Sequence, residues 1–197
     1  MLLQNILSNY RIVLASNSPR RKELLGGLDI PFSVVTLPDV DESYPPHLTA
    51  EEIALYVSRK KSDAYRPFMD DDTLLITADT IVWIDNEVFG KPKNRTDARR
   101  MLQALSGKTH QVITGVTLAT KKDERSFATL SNVTFSLLGD DEIDYYLDRY
   151  QPYDKAGAYG VQEWIGYVGV ERIEGSYFNV MGLPIQRLYR ELRQFVG

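Results

Sequence analysis

Cysteine is absent from all 197 residues, which excludes a disulfide framework, thiolate zinc and a cysteine nucleophile. Histidine is scarce: His47 and His110 stand far apart, with no second ligand at helical spacing, so a structural role is expected rather than metal binding. No apolar run approaches the roughly eighteen residues of a membrane span. The first ten residues lack a basic start and a small-residue cleavage pattern, so secretion is not expected and a cytoplasmic location is. Neither sign of charge dominates: 23 Lys+Arg against 27 Asp+Glu give a net charge of −4, which provides no general field for a nucleic acid polymer. An anionic ligand must therefore be met by a local cluster. The Walker A, G-x-G-x-x-G, G-x-S-x-G and zinc-helix patterns are all missing.

What is present is an ordinary globular composition. The 43% hydrophobic content is enough for one sizeable core, and no repeat or biased block interrupts it, so a single domain over residues 1–197 is expected. Arg11–Ala15 reads as a strand, Ser16-Asn-Ser-Pro19 as a turn, and Arg20–Leu25 as a helix stopped by Gly26-Gly27. Phe32–Thr36 is a candidate strand. An acidic, Pro-punctuated loop from Pro38 to Pro46 carries Asp39, Asp41 and Glu42. Thr49 and Glu52 match a capping box ahead of a helix over Ala50–Arg66. Leu74–Thr77 and Thr80–Ile84 read as two strand pieces on either side of Ala78-Asp79, with a turn at Asp85-Asn86. Further expectations are a helix from Thr96 to Leu105, long strands over Gln111–Thr120 and Ser126–Leu137, and a helix over Asp141–Arg149. A Gly-rich loop over Asp154–Gln162, a strand over Tyr167–Ile173 and a closing helix over Pro184–Val196 complete the chain. Such mixing of strands and helices favours the α/β class.

Several features could carry chemistry. Ser16, Ser18, Arg20 and Arg21 surround a helix start, where exposed amides, the helix dipole and forked guanidiniums suit a polyphosphate. The same residues would also make a capped surface helix with solvated arginines. Asp79 is a carboxylate between apolar runs; it could bind a divalent metal, orient water or cap a local turn. Glu42 could join it, because Mg²⁺ at phosphate sites is usually held by one or two carboxylates and substrate oxygens. Alone, Asp39, Asp41 and Glu42 read as a solvated charge run. Lys91 sits on the rigid turn Gly90-Lys91-Pro92, and Tyr159 and Gln162 lie in the Gly-rich loop.

Five ordered blocks taken together resemble the Maf family of nucleoside triphosphate pyrophosphatases. They are Leu14-Ala-Ser-Asn-Ser-Pro-Arg-Arg-Lys-Glu-Leu-Leu25; Asp41-Glu42; Ala78-Asp-Thr80 with Gly90-Lys-Pro92; Leu105-Ser-Gly-Lys-Thr-His110; and Asp154-Lys-Ala-Gly-Ala-Tyr-Gly-Val-Gln162 with Gly182-Leu-Pro184. The resemblance implies an inosine-triphosphatase-like (Maf/HAM1) α/β fold, an elongated mixed central sheet flanked by helices. It also implies hydrolysis of a nucleoside triphosphate between the α and β phosphates, a divalent metal cofactor (Mg²⁺, Mn²⁺ or Co²⁺) and a homodimer. By the same resemblance Asp79 is the proton acceptor and, with Glu42, a metal ligand, while Ser16, Arg20, Arg21, Lys61 and Lys91 surround the triphosphate. Lys60 and Lys61 are adjacent candidates for that lysine position.

Arg20, Thr80 and Gln162 match the family type associated with dTTP and UTP; the 7-methyl-GTP type carries an aromatic residue, Gln and Glu there. A neutral amide such as Gln162 suits the imide edge of uracil or thymine. The implied activity is dTTP and UTP hydrolysis in nucleotide-pool cleaning, extending to modified uridine triphosphates. Two other readings are a 7-methyl-GTP enzyme, against which Arg20, Thr80 and Gln162 argue, and a non-catalytic nucleotide-binding regulator of septum formation, against which Asp79, Glu42, Lys91 and both arginines argue. The chain departs from the family at Glu163-Trp164-Ile165, which is bulkier than the usual glycine-rich continuation; surface packing is expected for Trp164.

Overall fold

The computed structural model describes residues 2–37 and 40–196. Pro38 and Asp39 of the acidic loop lie outside the described residues. Strands follow one another across a mixed sheet in the order β2-β1-β3-β5-β6-β7, with β4 paired to β3. These are β1 (Arg11–Ala15), β2 (Ser33–Val35), β3 (Thr73–Ile84), β4 (Glu87–Phe89), β5 (Thr109–Ala119), β6 (Glu124–Phe135) and β7 (Val170–Glu174). Helices are α1 (Leu3–Ile6), α2 (Pro19–Gly26), α3 (Ala50–Tyr65), α4 (Arg95–Leu105), α5 (Asp140–Tyr150), α6 (Trp164–Gly169), α7 (Tyr177–Met181) and α8 (Ile185–Phe195). Among the described residues no helix is long and apolar enough to cross a membrane.

The chain forms two compact units. One comprises Met1–Asp79, Thr114–Thr129 and Gly182–Gly197, the other Thr80–Ile113 and Leu130–Met181, so β3, β5 and β6 contribute residues to both. In the first unit β1 runs parallel to β2 and to β3, with Leu14 opposite Val34 on one side and Ile76 on the other. Ile12–Ala15 are all buried, as a parallel strand covered on both faces requires. The capping box of α3 forms as expected, Thr49 accepting from the Glu52 N–H while the Glu52 carboxylate accepts from the Thr49 N–H. Its inner face buries Ile53, Ala54 and Val57. Gly115 on β5 lets α3 approach closely, because a Cβ there would lie 2.3 Å from the Ala54 carbonyl oxygen. Along α8, Leu188 and Leu192 are buried, four residues apart on one face.

In the second unit β3 turns into β4 through Asp85 and Asn86, both with positive φ, the conformation of a tight hairpin turn. β6 pairs antiparallel with β7, and α4 packs on α5. Two sequence expectations change here. Ala78-Asp79 is not a break: β3 is one twelve-residue strand running through it. Tyr167–Gly169 close helix α6 (Trp164–Gly169) instead of opening the expected strand, which begins only at Val170. A Cβ on Gly166 would lie 1.8 Å from the Val161 carbonyl oxygen, so the glycine permits this tight helical turn. The short helices α1 and α7 carry no clear sequence signal and were not expected.

Candidate active site

The first unit gathers six of the predicted residues. Ser16 follows β1 and Ser18 caps α2, whose Pro19 occupies the first turn where its missing N–H costs nothing. Ser16 Oγ accepts from the Ser18 N–H at 3.2 Å, and Ser18 Oγ accepts from the Arg21 N–H at 3.4 Å. Arg20 and Arg21 are half-buried on the first turn of α2. Arg21 is a staple: Nε donates to the Gly182 carbonyl and Nη1 to the Ala78 carbonyl, both at 2.8 Å. Its planar fork fixes the Ser16 loop beside the backbone that carries Asp79. Burial lowers the Arg21 pKa, Arg20 adds to that, and Asp79 and Glu42 oppose it.

Lys61 lies at the centre. Its ammonium donates to Asp79 Oδ1 at 2.8 Å and pairs with Glu42 Oε1 at 2.9 Å. Lys61 and Asp79 side chains are each 14% exposed and Glu42 is 49% exposed, so the cluster opens toward solvent on its Glu42 side. Lys60 takes a different course, about 100° round the helix, to Asp41 Oδ2 at 2.5 Å and the Ser43 carbonyl at 3.0 Å. That bond and those from Ser43 pull the Asp41 carboxyl down to about 2. The adjacent lysines thus divide the acidic loop between them, and Lys61 faces the catalytic candidate.

A buried hydroxyl network sets the register of Lys61 against Asp79. Thr77 Oγ1 on β3 donates to the Ser58 carbonyl of α3 at 2.7 Å, and the Ser58 and Thr117 hydroxyls lie 2.9 Å apart. Thr117 continues to Ser126 at 3.0 Å. Thr77 and Ser58 are fully buried, two residues before Asp79 and three before Lys61. Sequence reading missed this network, because serine and threonine in apolar runs look like ordinary strand and helix residues.

Two carboxylates converging on one positive centre form a hard-oxygen donor set of the kind that holds Mg²⁺ together with substrate phosphates. Glu42 and Asp79 therefore fit a divalent metal. Among the described residues no cluster of three or more His, Cys, Asp or Glu side chains offers a self-sufficient metal site. His110 has the structural place expected of it, buried with its Nε2 2.8 Å from the Tyr159 hydroxyl.

Thr80, Lys91 and Gln162 belong to the second unit. Lys91 is exposed beside Gly90, whose carbonyl accepts from the Gly157 N–H at 3.1 Å and so ties this turn to the Gly-rich loop. Gly157 has φ +69°, and a Cβ there would meet Val82 at 2.9 Å. Gln162 Oε1 is buried and accepts no hydrogen bond among the described residues. Trp164 packs its ring edge on Tyr145, with centroids 4.9 Å apart, as expected for a packing residue.

The family model described as Maf-like protein matches residues 11–195. A dTTP/UTP pyrophosphatase of Bacteroides fragilis is 62% identical over 95% of this chain and 97% of its own length. A dTTP/UTP pyrophosphatase of Phocaeicola vulgatus is 62% identical over 98% of this chain and all of its own. Among solved structures, a HAM1 protein of Coxiella burnetii shares the fold, with a TM-score of 0.51 and 16% identity over 94% of this chain and 99% of that one. With the family model spanning nearly its whole length and relatives of this identity covering it end to end, the chain belongs to the Maf family.

Proposed function

We propose that this chain hydrolyses dTTP and UTP to the nucleoside monophosphate and pyrophosphate, as a nucleotide-pool-cleaning enzyme. The observation that carries the reading is the full-length, 62% identity to relatives that bear the name dTTP/UTP pyrophosphatase. In this reading Asp79 takes the proton from water as the water oxygen attacks the α phosphorus. The bond to the α–β bridging oxygen breaks and pyrophosphate leaves. Lys61 holds the Asp79 carboxylate in place through the 2.8 Å hydrogen bond, leaving its second oxygen for the water. Arg20 and the Ser16 hydroxyl meet the negative charge that grows on the leaving pyrophosphate, Arg21 keeps their loop rigid, and Lys91 is assigned to the same charge by the family resemblance. Glu42 and Asp79 would hold the divalent metal (Mg²⁺, Mn²⁺ or Co²⁺), which when bound supplies Lewis-acid polarisation of the phosphate.

Arg20, Thr80 and Gln162 are the residues proposed to choose the base. What supports Gln162 is its buried, unsatisfied Oε1, a hydrogen-bond acceptor that the imide N–H of uracil or thymine would satisfy. Modified uridine triphosphates that keep this N–H belong to the same substrate class. A cytoplasmic location and a homodimer complete the reading, the second checked by light scattering of the purified chain. The direct test is pyrophosphate release from UTP, dTTP, CTP, GTP and 7-methyl-GTP with Mg²⁺ or Mn²⁺. UTP and dTTP turned over well above the rest is expected; faster release from 7-methyl-GTP would overturn the substrate assignment.

A further inference from the structure

Gln162 sits in a turn that is held far more firmly than a loop needs. The Glu163 N–H donates to the Gly160 carbonyl at 2.9 Å, closing the four-residue turn 160–163 with Gln162 inside it. The Tyr146 hydroxyl, on α5, grips both ends of that turn: it accepts from the Gly160 N–H at 3.0 Å and donates to Glu163 Oε2. Glu163 Oε1 pairs with Lys155 Nζ at 3.0 Å, and Lys155 also pairs with Asp154 at 2.8 Å. Tyr146 is fully buried and Lys155 is 8% exposed. Burial, reinforced by the Glu163 carboxylate, pushes the Tyr146 pKa up, so the hydroxyl keeps its proton and remains a donor. Gly160 leaves room for this arrangement, since a Cβ there would lie 2.8 Å from Glu163 Cδ and 3.0 Å from Lys155 Cε.

A shielded ion pair is costly to desolvate, and apolar groups of the same size would pack at least as well. Its value here lies in fixing direction. A glutamine amide is two-faced: its oxygen accepts from the N3–H of uracil or thymine, and its nitrogen, if the side chain turns over, donates to the unprotonated N3 of cytosine. A turn free to rock would serve both bases, whereas a clamped one presents a single edge. We propose that Tyr146 and Glu163 are positioning residues for base discrimination, locking the 160–163 turn so that Gln162 Oε1 meets the imide N–H and cytosine is refused. The inference rests on the dTTP/UTP reading.

The test compares kcat/KM for UTP and CTP in wild type, Gln162→Ala, Tyr146→Phe and Glu163→Gln, with thermal unfolding of each. Loss of one neutral hydrogen bond corresponds to a change of roughly three- to tenfold. The UTP/CTP ratio is expected to fall about tenfold in Gln162→Ala and roughly three- to fivefold in Tyr146→Phe. A smaller fall is expected in Glu163→Gln, whose amide oxygen still accepts from Tyr146. A residue that served stability alone would lower both substrates in proportion and leave the ratio unchanged. That result in Tyr146→Phe and Glu163→Gln, beside a collapsed ratio in Gln162→Ala, would overturn the clamp and leave the base-reading role of Gln162 standing. An unchanged ratio in Gln162→Ala would overturn both. If Tyr146→Phe does not fold, the ratio in Glu163→Gln decides.

Discussion

Gly115→Ala should damage both stability and turnover although it adds only one methyl group to β5. The new Cβ would stand 2.3 Å from the Ala54 carbonyl oxygen, 2.4 Å from its carbon and 2.7 Å from the Leu55 nitrogen. All three are backbone atoms of α3, so no side chain can rotate away; the helix itself must retreat by about 1 Å to restore ordinary contact. Overpacking typically costs 1–3 kcal/mol, and without a rotamer escape the upper end applies, about 3 kcal/mol. The displaced helix is the one that carries Ser58 and Lys61, so the bond from the Thr77 hydroxyl to the Ser58 carbonyl and the ammonium bond to Asp79 lengthen together. Urea unfolding should show the loss as a lower midpoint at unchanged slope, and turnover measured on protein still folded should fall as well. Gly26→Ala is the control: nothing lies within 4 Å of its Cβ, and it should be neutral or slightly stabilising. A Gly115→Ala protein as stable as wild type would refute the close approach of α3 to β5.

Two further perturbations follow from buried groups. Burial lowers the His110 pKa from 6.5 to about 4, so the unfolded chain takes up the proton first as pH falls. The stability this histidine contributes is full above about pH 6.5 and is lost as pH falls through 4, about 3 kcal/mol in all. Unfolding of wild type against His110→Phe from pH 7.5 to 3.5 should show that difference shrinking with acidity; parallel curves would contradict it. Lys61→Met leaves Asp79 and Glu42 without their shared cation, and should lower stability by about 2–3 kcal/mol and suppress turnover, as urea unfolding and pyrophosphate release would show. Full stability in that variant would mean that the ion pairs contribute nothing.

The sequence made the first loop, the capping box of α3 and the closing helix readable because each is a local signal. Ser18, Pro19 and the amides they serve lie within one turn, and Thr49 and Glu52 are three residues apart. What it hid was set by distant parts of the chain. Asp79 looked like a break between two strands, since a carboxylate and a threonine interrupt the apolar pattern, yet Thr77 and Ala78 are fully buried and β3 runs on because neighbouring strands satisfy its backbone. Residues 164–169 have strand-like aromatic and branched side chains, but Ile165 and Gly169, four apart, are the buried ones, which is a helical spacing. The choice between Lys60 and Lys61 could not be made from two adjacent letters; helix geometry sends one to Asp41 and the other to Asp79. The clamp around Gln162 was equally hidden, because Tyr146 joins it from α5, and in the Glu163-Trp164-Ile165 run it was Trp164 that drew attention.

The central claim is that Asp79 handles the proton of the attacking water while other groups hold the nucleotide. It is tested most directly by Asp79→Asn, measuring UTP binding by calorimetry and pyrophosphate release on the same preparation. Asparagine keeps the shape and can still accept from Lys61, but it cannot take a proton. Turnover reduced by roughly 10²–10⁴-fold with UTP still bound is the predicted result. Turnover within a few-fold of wild type would contradict the account.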